Sequence, residues 1–178
     1  GEVYWKNQAE KYTMQLKMPG EIVPGNFSGH AYLSAYGNGY RLTGNENYRK
    51  MLVAAARKLI SGFHAESGCL GEVELSDNDT VFYVSPSHFM DLELLFDASA
   101  ETGEPVFANI AVKHAQTCLQ MSFASDFEKP VDITQKNRMI SFNRYENKNS
   151  PKSGQPDFYQ WAEYLYGYTM VYENTGNP

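Results

Sequence analysis

Apolar positions recur along this chain at steps of three and four residues, the spacing of one face of a helix. In residues 3–16, Tyr4, Ala9, Tyr12 and Leu16 fall near one face with Lys6, Gln8 and Lys11 elsewhere, and Pro19-Gly20 closes the segment. Residues 31–42 form a second helix candidate, interrupted by Gly37 and Gly39. Residues 45–63 carry the clearest pattern, with Tyr48, Met51, Leu52, Ala55, Leu59 and Phe63 in step and Asn45 placed to cap. Residues 87–100 repeat it with Phe89, Leu92, Leu95 and Phe96, and Ser87 is the expected cap. After Pro105, a residue tolerated in a first helical turn, Phe107, Ile110, Ala111, His114, Ala115 and Cys118 give the next helix its apolar side. Residues 157–172 make the last, so the pattern predicts six helices in three hairpin-like units.

Two stretches break the rhythm. Residues 66–84 hold Gly68, Gly71, alternating acids and the run Thr80-Val81-Phe82-Tyr83-Val84, which reads as loop with at most one or two short strands. Residues 122–155 read as a long polar connection, with Met139-Ile140-Ser141-Phe142 as one short strand.

The helices share their punctuation. Tyr40-Arg41-Leu42-Thr43-Gly44-Asn45, Ala100-Glu101-Thr102-Gly103-Glu104-Pro105 and Glu173-Asn174-Thr175-Gly176-Asn177-Pro178 form an internal repeat. Glycine is the usual residue just past a helix C-terminus, and the residue after it starts a new apolar period. Each copy therefore predicts helix, Thr-Gly corner, helix.

Composition narrows the class. At 178 residues and 42% hydrophobic, the chain is of a size to bury one core. A net charge of −6 with no clustered Lys and Arg argues against a nucleic-acid partner. Its apolar runs are far short of the roughly 18 residues of a membrane helix, so a soluble protein is expected. Cys69 and Cys118 have neither CxxC spacing nor a framework, and are expected to be two small buried hydrophobes.

No HExxH, GxSxG, phosphate-cradling loop or Cys/His motif is present, so no metal or cofactor is implied. A site must come from carboxylates, histidines and aromatic rings. Asp157, Trp161, Tyr164 and Tyr168 step by four, three and four, putting a carboxylate and three rings on one helix face. Rings with polar edges suit sugars, stacking on C–H faces while offering hydrogen bonds. The same stripe also reads as core. His88 and Asp91, one turn apart, fit an acid/base pair, or a capped helix start with a surface histidine. Glu72, Glu74, Asp77 and Asp79 lack the ordered spacing of a calcium loop and read as a solvated loop. His114, on an apolar face beside Ala111 and Ala115, reads as a packed, hydrogen-bonded side chain.

The run from Tyr36-Gly37-Asn38 through Leu42-Thr43-Gly44-Asn45 to Tyr48, then Asp91-Leu92-Glu93-Leu94-Leu95-Phe96 with Glu101-Thr102-Gly103, Ile110-Ala111-Val112-Lys113-His114-Ala115, and Leu165-Tyr166-Gly167-Tyr168-Thr169-Met170-Val171-Tyr172 resemble glycoside hydrolase family 88, the unsaturated glucuronyl hydrolases. These matches span most of the chain, with residues 122–155 matching poorly. The resemblance implies an all-α fold: an (α/α) toroid of helical hairpins, of which residues 1–178 make a single partial domain of about half a six-hairpin barrel, with short β segments in long loops. It implies action on oligosaccharides that end in an unsaturated uronic acid, where an Asp protonates the ring double bond and activates water. Placed on this chain, the family's two Asp positions fall on Phe27 and Ser87, and the arginine of its Arg-Gly-Gln-Ala-Trp-Gly signature falls on Tyr159. A hydroxyl is no proton donor near neutral pH. The expectation is therefore an unsaturated glucuronyl hydrolase-like protein with weak or lost activity, or a non-catalytic carbohydrate binder or self-associating scaffold. Asp91, His88 and Asp157 are the catalytic candidates, and Trp161, Tyr159, Tyr164, Tyr168 and His30 the binding ones. The expected partners are a uronate-containing oligosaccharide and, through uncovered helix flanks, a second copy of the chain.

Overall fold

A computed structural model of the chain describes residues 2–16, 28–76, 79–122, 132–136, 139–143 and 158–176. Among these the helical segments form six rods. The first is α1 (Glu2–Thr13). The second runs without a break through α2 (Gly29–Tyr32), a π-helical turn (Leu33–Gly37) and α3 (Asn38–Thr43), so Gly37 and Gly39 loosen the helix without ending it. Then come α4 (Glu46–Ile60), a 3₁₀ turn (Pro86–Asp91) leading into α5 (Leu92–Thr102), α6 (Pro105–Ser122) and α7 (Phe158–Thr175).

The three corners are copies of one another in hydrogen bonding as well as sequence. Gly44, Gly103 and Gly176 take the left-handed conformation, with φ of 64°, 71° and 64°. Their amides donate to Tyr40, Ser99 and Tyr172 carbonyls at 2.7, 2.9 and 2.8 Å. Each preceding threonine hydroxyl donates to the carbonyl four residues back: Thr43 to Gly39, Thr102 to Ala98 and Thr175 to Val171, at 2.7 Å each. At the first two corners that oxygen also accepts from the amide two residues on, Asn45 or Glu104, at 3.2 Å. The threonine thus ties the finished helix to the next residue outside it. Ion pairs tie α4 to the corner between α5 and α6, Arg49 with Glu101 at 2.8 Å and Arg57 with Glu104 at 2.5 Å.

Asn45 caps α4 as expected, accepting from the Asn47 amide at 3.0 Å. At the fourth rod the cap is Ser85, not Ser87: the Ser85 hydroxyl accepts from the Ser87 amide at 3.3 Å and from the Ser87 hydroxyl at 2.9 Å. Pro86 at the first position of the turn explains the displacement, because a proline there needs the capping residue just before it.

Strand structure is more extensive than the pattern indicates. β1 (Phe63–His64) and β2 (Cys69–Leu70) make a minimal hairpin. β3 (Glu72–Ser76), β4 (Asp79–Val84), β5 (Asp132–Lys136) and β6 (Met139–Asn143) form one antiparallel sheet in that order, which turns much of the supposed acidic loop into a hairpin. β5 escapes the local pattern because its pairing, Val84 opposite Ile133, joins segments far apart in sequence. The core lies between the rods, around Tyr32, Leu70, Phe89, Leu92, Leu95, Phe107 and Ala111. No described helix is long and apolar enough to cross a membrane.

Candidate functional site

The 3₁₀ turn positions the two titratable residues singled out there. Asp91 is 3% exposed, and its Oδ1 accepts from the backbone amide of His30 at 2.7 Å, so a carboxylate from one rod caps the first turn of another. Gly29 permits this approach: a Cβ there would stand 3.1 Å from that oxygen and 2.9 Å from Leu94. The second carboxylate oxygen faces His88 Nδ1 at 3.6 Å, within ion-pair range but too long for a hydrogen bond. His88 is 6% exposed, so the surface-histidine reading fails, and its Nδ1 is buried without a hydrogen-bond partner among the described residues.

Behind this pair lies an aromatic core. Phe89 contacts the rings of His114, Tyr164 and Tyr168 at centroid distances of 5.0, 4.6 and 5.0 Å. Tyr164 and Tyr168 stack on each other at 6.2 Å, and Tyr164 is buried. The stripe on α7 thus packs inward at these two positions. Trp161 is half-buried one turn earlier. Tyr159 occupies the first turn of α7, and Asp157 lies outside the described residues, as does Phe27.

His114 is the packed side chain expected of it. It is fully buried, its Nδ1 accepts from the Leu70 amide at 3.1 Å, and burial beside His88 lowers its pKa to about 3. Nε2 therefore carries the proton. Cys118 Sγ lies 3.8 Å from Nδ1 and 3.9 Å from Nε2, near-equal distances that aim it at neither nitrogen's lone-pair axis. With Nδ1 already occupied, the imidazole presents no free lone pair to the two nearby thiols.

The open concavity lies elsewhere. A cavity of about 410 Å³, within the range of small-ligand sites, is lined by His30, Arg41, Glu93, Asp97, Glu101 and Tyr166 among others. Of the candidates from sequence, His30 lines it, with Nε2 3.3 Å from the Ser34 hydroxyl and Nδ1 buried and unpartnered among the described residues. Ser87, His88, Asp91 and Trp161 do not. Glu93, Asp97 and Glu101 recur at four-residue steps along α5, and that stripe is the cavity's signal in the sequence. The Tyr166 hydroxyl donates to the Glu93 carboxylate, and burial, with Glu93 next, raises the tyrosine's pKa. Asp97 is raised to about 6 by burial and by the charges of Glu93 and Glu101. Arg49 is neutralised by Glu46 and Glu101, whereas Arg41 makes no ion pair among the described residues and is held by Asn38 Oδ1 at 2.5 Å. The cavity therefore offers hydroxyl-accepting carboxylates, aromatic edges and one cation to a polar ligand.

In sequence the chain is 25% identical over 186 aligned residues to the unsaturated glucuronyl hydrolase of Formosa agariphila, covering all of this chain and 45% of that enzyme. In structure it superposes on an unsaturated glucuronyl hydrolase specific for heparin with a TM-score of 0.73 and 25% identity, over 97% of this chain and 47% of that one. Its relatives are unsaturated glucuronyl hydrolases. The glucuronyl hydrolase of Streptococcus agalactiae shares the fold, with a TM-score of 0.70 at 17% identity over 84% of this chain. No family model matches the chain. The helical rods thus match the (α/α) toroid fold of glucuronyl hydrolases, and the chain spans about half the length of the relatives it matches.

Proposed function

We propose that this chain keeps the glucuronyl hydrolase fold and recognises uronate-bearing oligosaccharides, with hydration chemistry weak or lost. The observation that carries this reading is the state of Asp91, the carboxylate nearest the family's acid position at Ser87. It is buried, one oxygen is held by the His30 amide and the other faces His88, so it is spent on structure rather than turned to the cavity. Ser87, exposed and bonded to Ser85, offers a hydroxyl where a proton donor is required. Binding is assigned to the cavity, where Arg41 suits a uronate carboxylate and Glu93, Asp97 and Tyr166 suit sugar hydroxyls. Calorimetric titration with unsaturated uronyl disaccharides is expected to give heat that is lost in Arg41→Ala. No heat from the unaltered chain overturns the binding assignment. Steady loss of the double-bond absorbance at high protein concentration overturns the loss of chemistry.

A second reading, self-association, is favoured by exposed apolar side chains: Tyr4, Trp5 and Tyr12 on α1, and Leu165 and Tyr172 on α7. Light scattering that returns a monomer mass across a wide concentration range removes it.

A further inference from the structure

Cys69 and Cys118 are 49 positions apart in sequence, one at the end of the β1–β2 hairpin and one near the end of α6, and both are fully buried. The fold brings their sulfurs to 3.8 Å, which is contact. The two thiols are not equivalent. Either sulfur can donate in this contact; with Cys118 as the donor and Lys113 near, Cys69 is acidified against its burial, while the same interaction and burial push Cys118 well up. Lys113 is placed by packing: its Cε lies 2.9 Å from where a Cβ on Gly68 would stand, so its stem crosses the turn that leads into Cys69. An acidified thiol beside a cation, touching a second thiol that stays protonated, is the arrangement of an attacking and a resolving cysteine.

We propose that Cys69 and Cys118 are a dithiol that closes reversibly to an intramolecular disulfide by exchange with a small-molecule disulfide, Cys69 attacking and Cys118 resolving. In the first step the Cys69 thiolate bonds to one sulfur of oxidised glutathione, and one glutathione leaves as thiolate. In the second Cys118 gives its proton to that thiolate and attacks the Cys69 sulfur, and the second glutathione leaves, taking a proton from water in place of the one Cys69 released. Two protein thiols are oxidised to one disulfide while one glutathione disulfide is reduced to two thiols. The sulfurs must close by about 1.8 Å to reach the disulfide length of about 2.0 Å. The hairpin's ladder is only two residues long, and local opening against the burial of Leu70 and its bond to His114 exposes Cys69 to the reagent, while closing brings the pair together. The disulfide then ties the hairpin to α6.

The test is incubation of the reduced, natively folded chain with oxidised glutathione, then acid quench, alkylation and mass analysis. The expected product is lighter than the dithiol by two hydrogens, takes no alkyl groups, and yields a peptide linking Cys69 to Cys118. Cys118→Ala is expected to accumulate a glutathione adduct on Cys69, whereas Cys69→Ala leaves Cys118 free. Two cysteines that stay alkylatable after prolonged oxidation of the folded wild-type chain overturn the proposal, as do dimers linked between chains as the sole product. An adduct on Cys118 but not on Cys69 overturns the assignment of roles. The wild-type measurement stands by itself if either variant does not fold.

Discussion

Replacing Gly167 by alanine tests whether the close packing of α7 on the 3₁₀ turn holds this fold together. In the interior of a helix that change ordinarily stabilises by about 0.8–1 kcal/mol. Here the new methyl would stand 2.4 Å from Phe89 Cδ1, 2.7 Å from its Cβ and 2.9 Å from its Cγ, far inside contact distance. Phe89 cannot yield, because it is fully buried between His114, Tyr164 and Tyr168. Overpacking costs about 1–3 kcal/mol, and three approaches inside 3.0 Å put this one in the upper part of that range, so net of the propensity gain Gly167→Ala is expected to destabilise by about 1–2 kcal/mol. For a domain of this size that is a fall in melting temperature of about 2–8 °C, read by calorimetry or by the urea midpoint at constant slope. In a Phe89→Ala background two of the three contacts disappear, leaving only the Cβ at 2.7 Å. The cost of Gly167→Ala should shrink there, with a coupling of about 1 kcal/mol in a double-mutant cycle. A neutral or stabilising effect in the wild type, or the same cost in both backgrounds, refutes the packing argument.

The corners supply a contrast. At Gly44 and Gly103 a Cβ would meet nothing within 4 Å, so alanine costs only the left-handed backbone, about 1–2 kcal/mol at each position, and the two costs add in thermal melts of the double variant. His114 opposes acid: the unfolded chain takes a proton near 6.5 that the folded ring refuses until about 3. Stability therefore falls as pH drops through that window, by up to about 1.4 kcal/mol per pH unit, in urea titrations. Asp97 acts the other way. Its carboxyl, raised to about 6 from 3.8, contributes stability that is full below the ordinary value and lost as pH climbs through about 6, though water at the exposed rim screens the effect. Asp97→Asn should thus steepen the rise of stability between pH 4 and 6, and an unchanged slope refutes its assignment.

The features legible in the sequence divide from the rest by range. Rods, corners and the Asn45 cap depend on residues within one or two turns of each other, and periodicity reports those directly. Proline at the head of the 3₁₀ turn moved the cap to Ser85, a local effect of two residues. The long-range partners were not legible. His88 is buried because α7 lies over its turn, and Cys69 meets Cys118 because the hairpin folds back on α6, neither of which a one-dimensional pattern encodes. The cavity is illegible in the sequence for another reason. Its acids sit at regular helical spacing on α5, and only α3 and α7 placed beside Glu93, Asp97 and Glu101 make a concavity of them.

The Thr-Gly corners give the molecule a closed end and an open one. Between rods they take two residues, Gly44-Asn45 and Gly103-Glu104, with the turn's polar groups answered by the threonine. The opposite connections run over residues 61–85 and 123–157. Length can be added at exposed turns there, as at Ala65-Glu66, without disturbing any corner, since a longer surface loop costs little closure entropy. The starts of the rods that carry His30 and Asp91 point to that permissive end. Natural variation and engineered insertions alike should therefore accumulate there, and new specificity can be installed on one side while the other preserves the architecture.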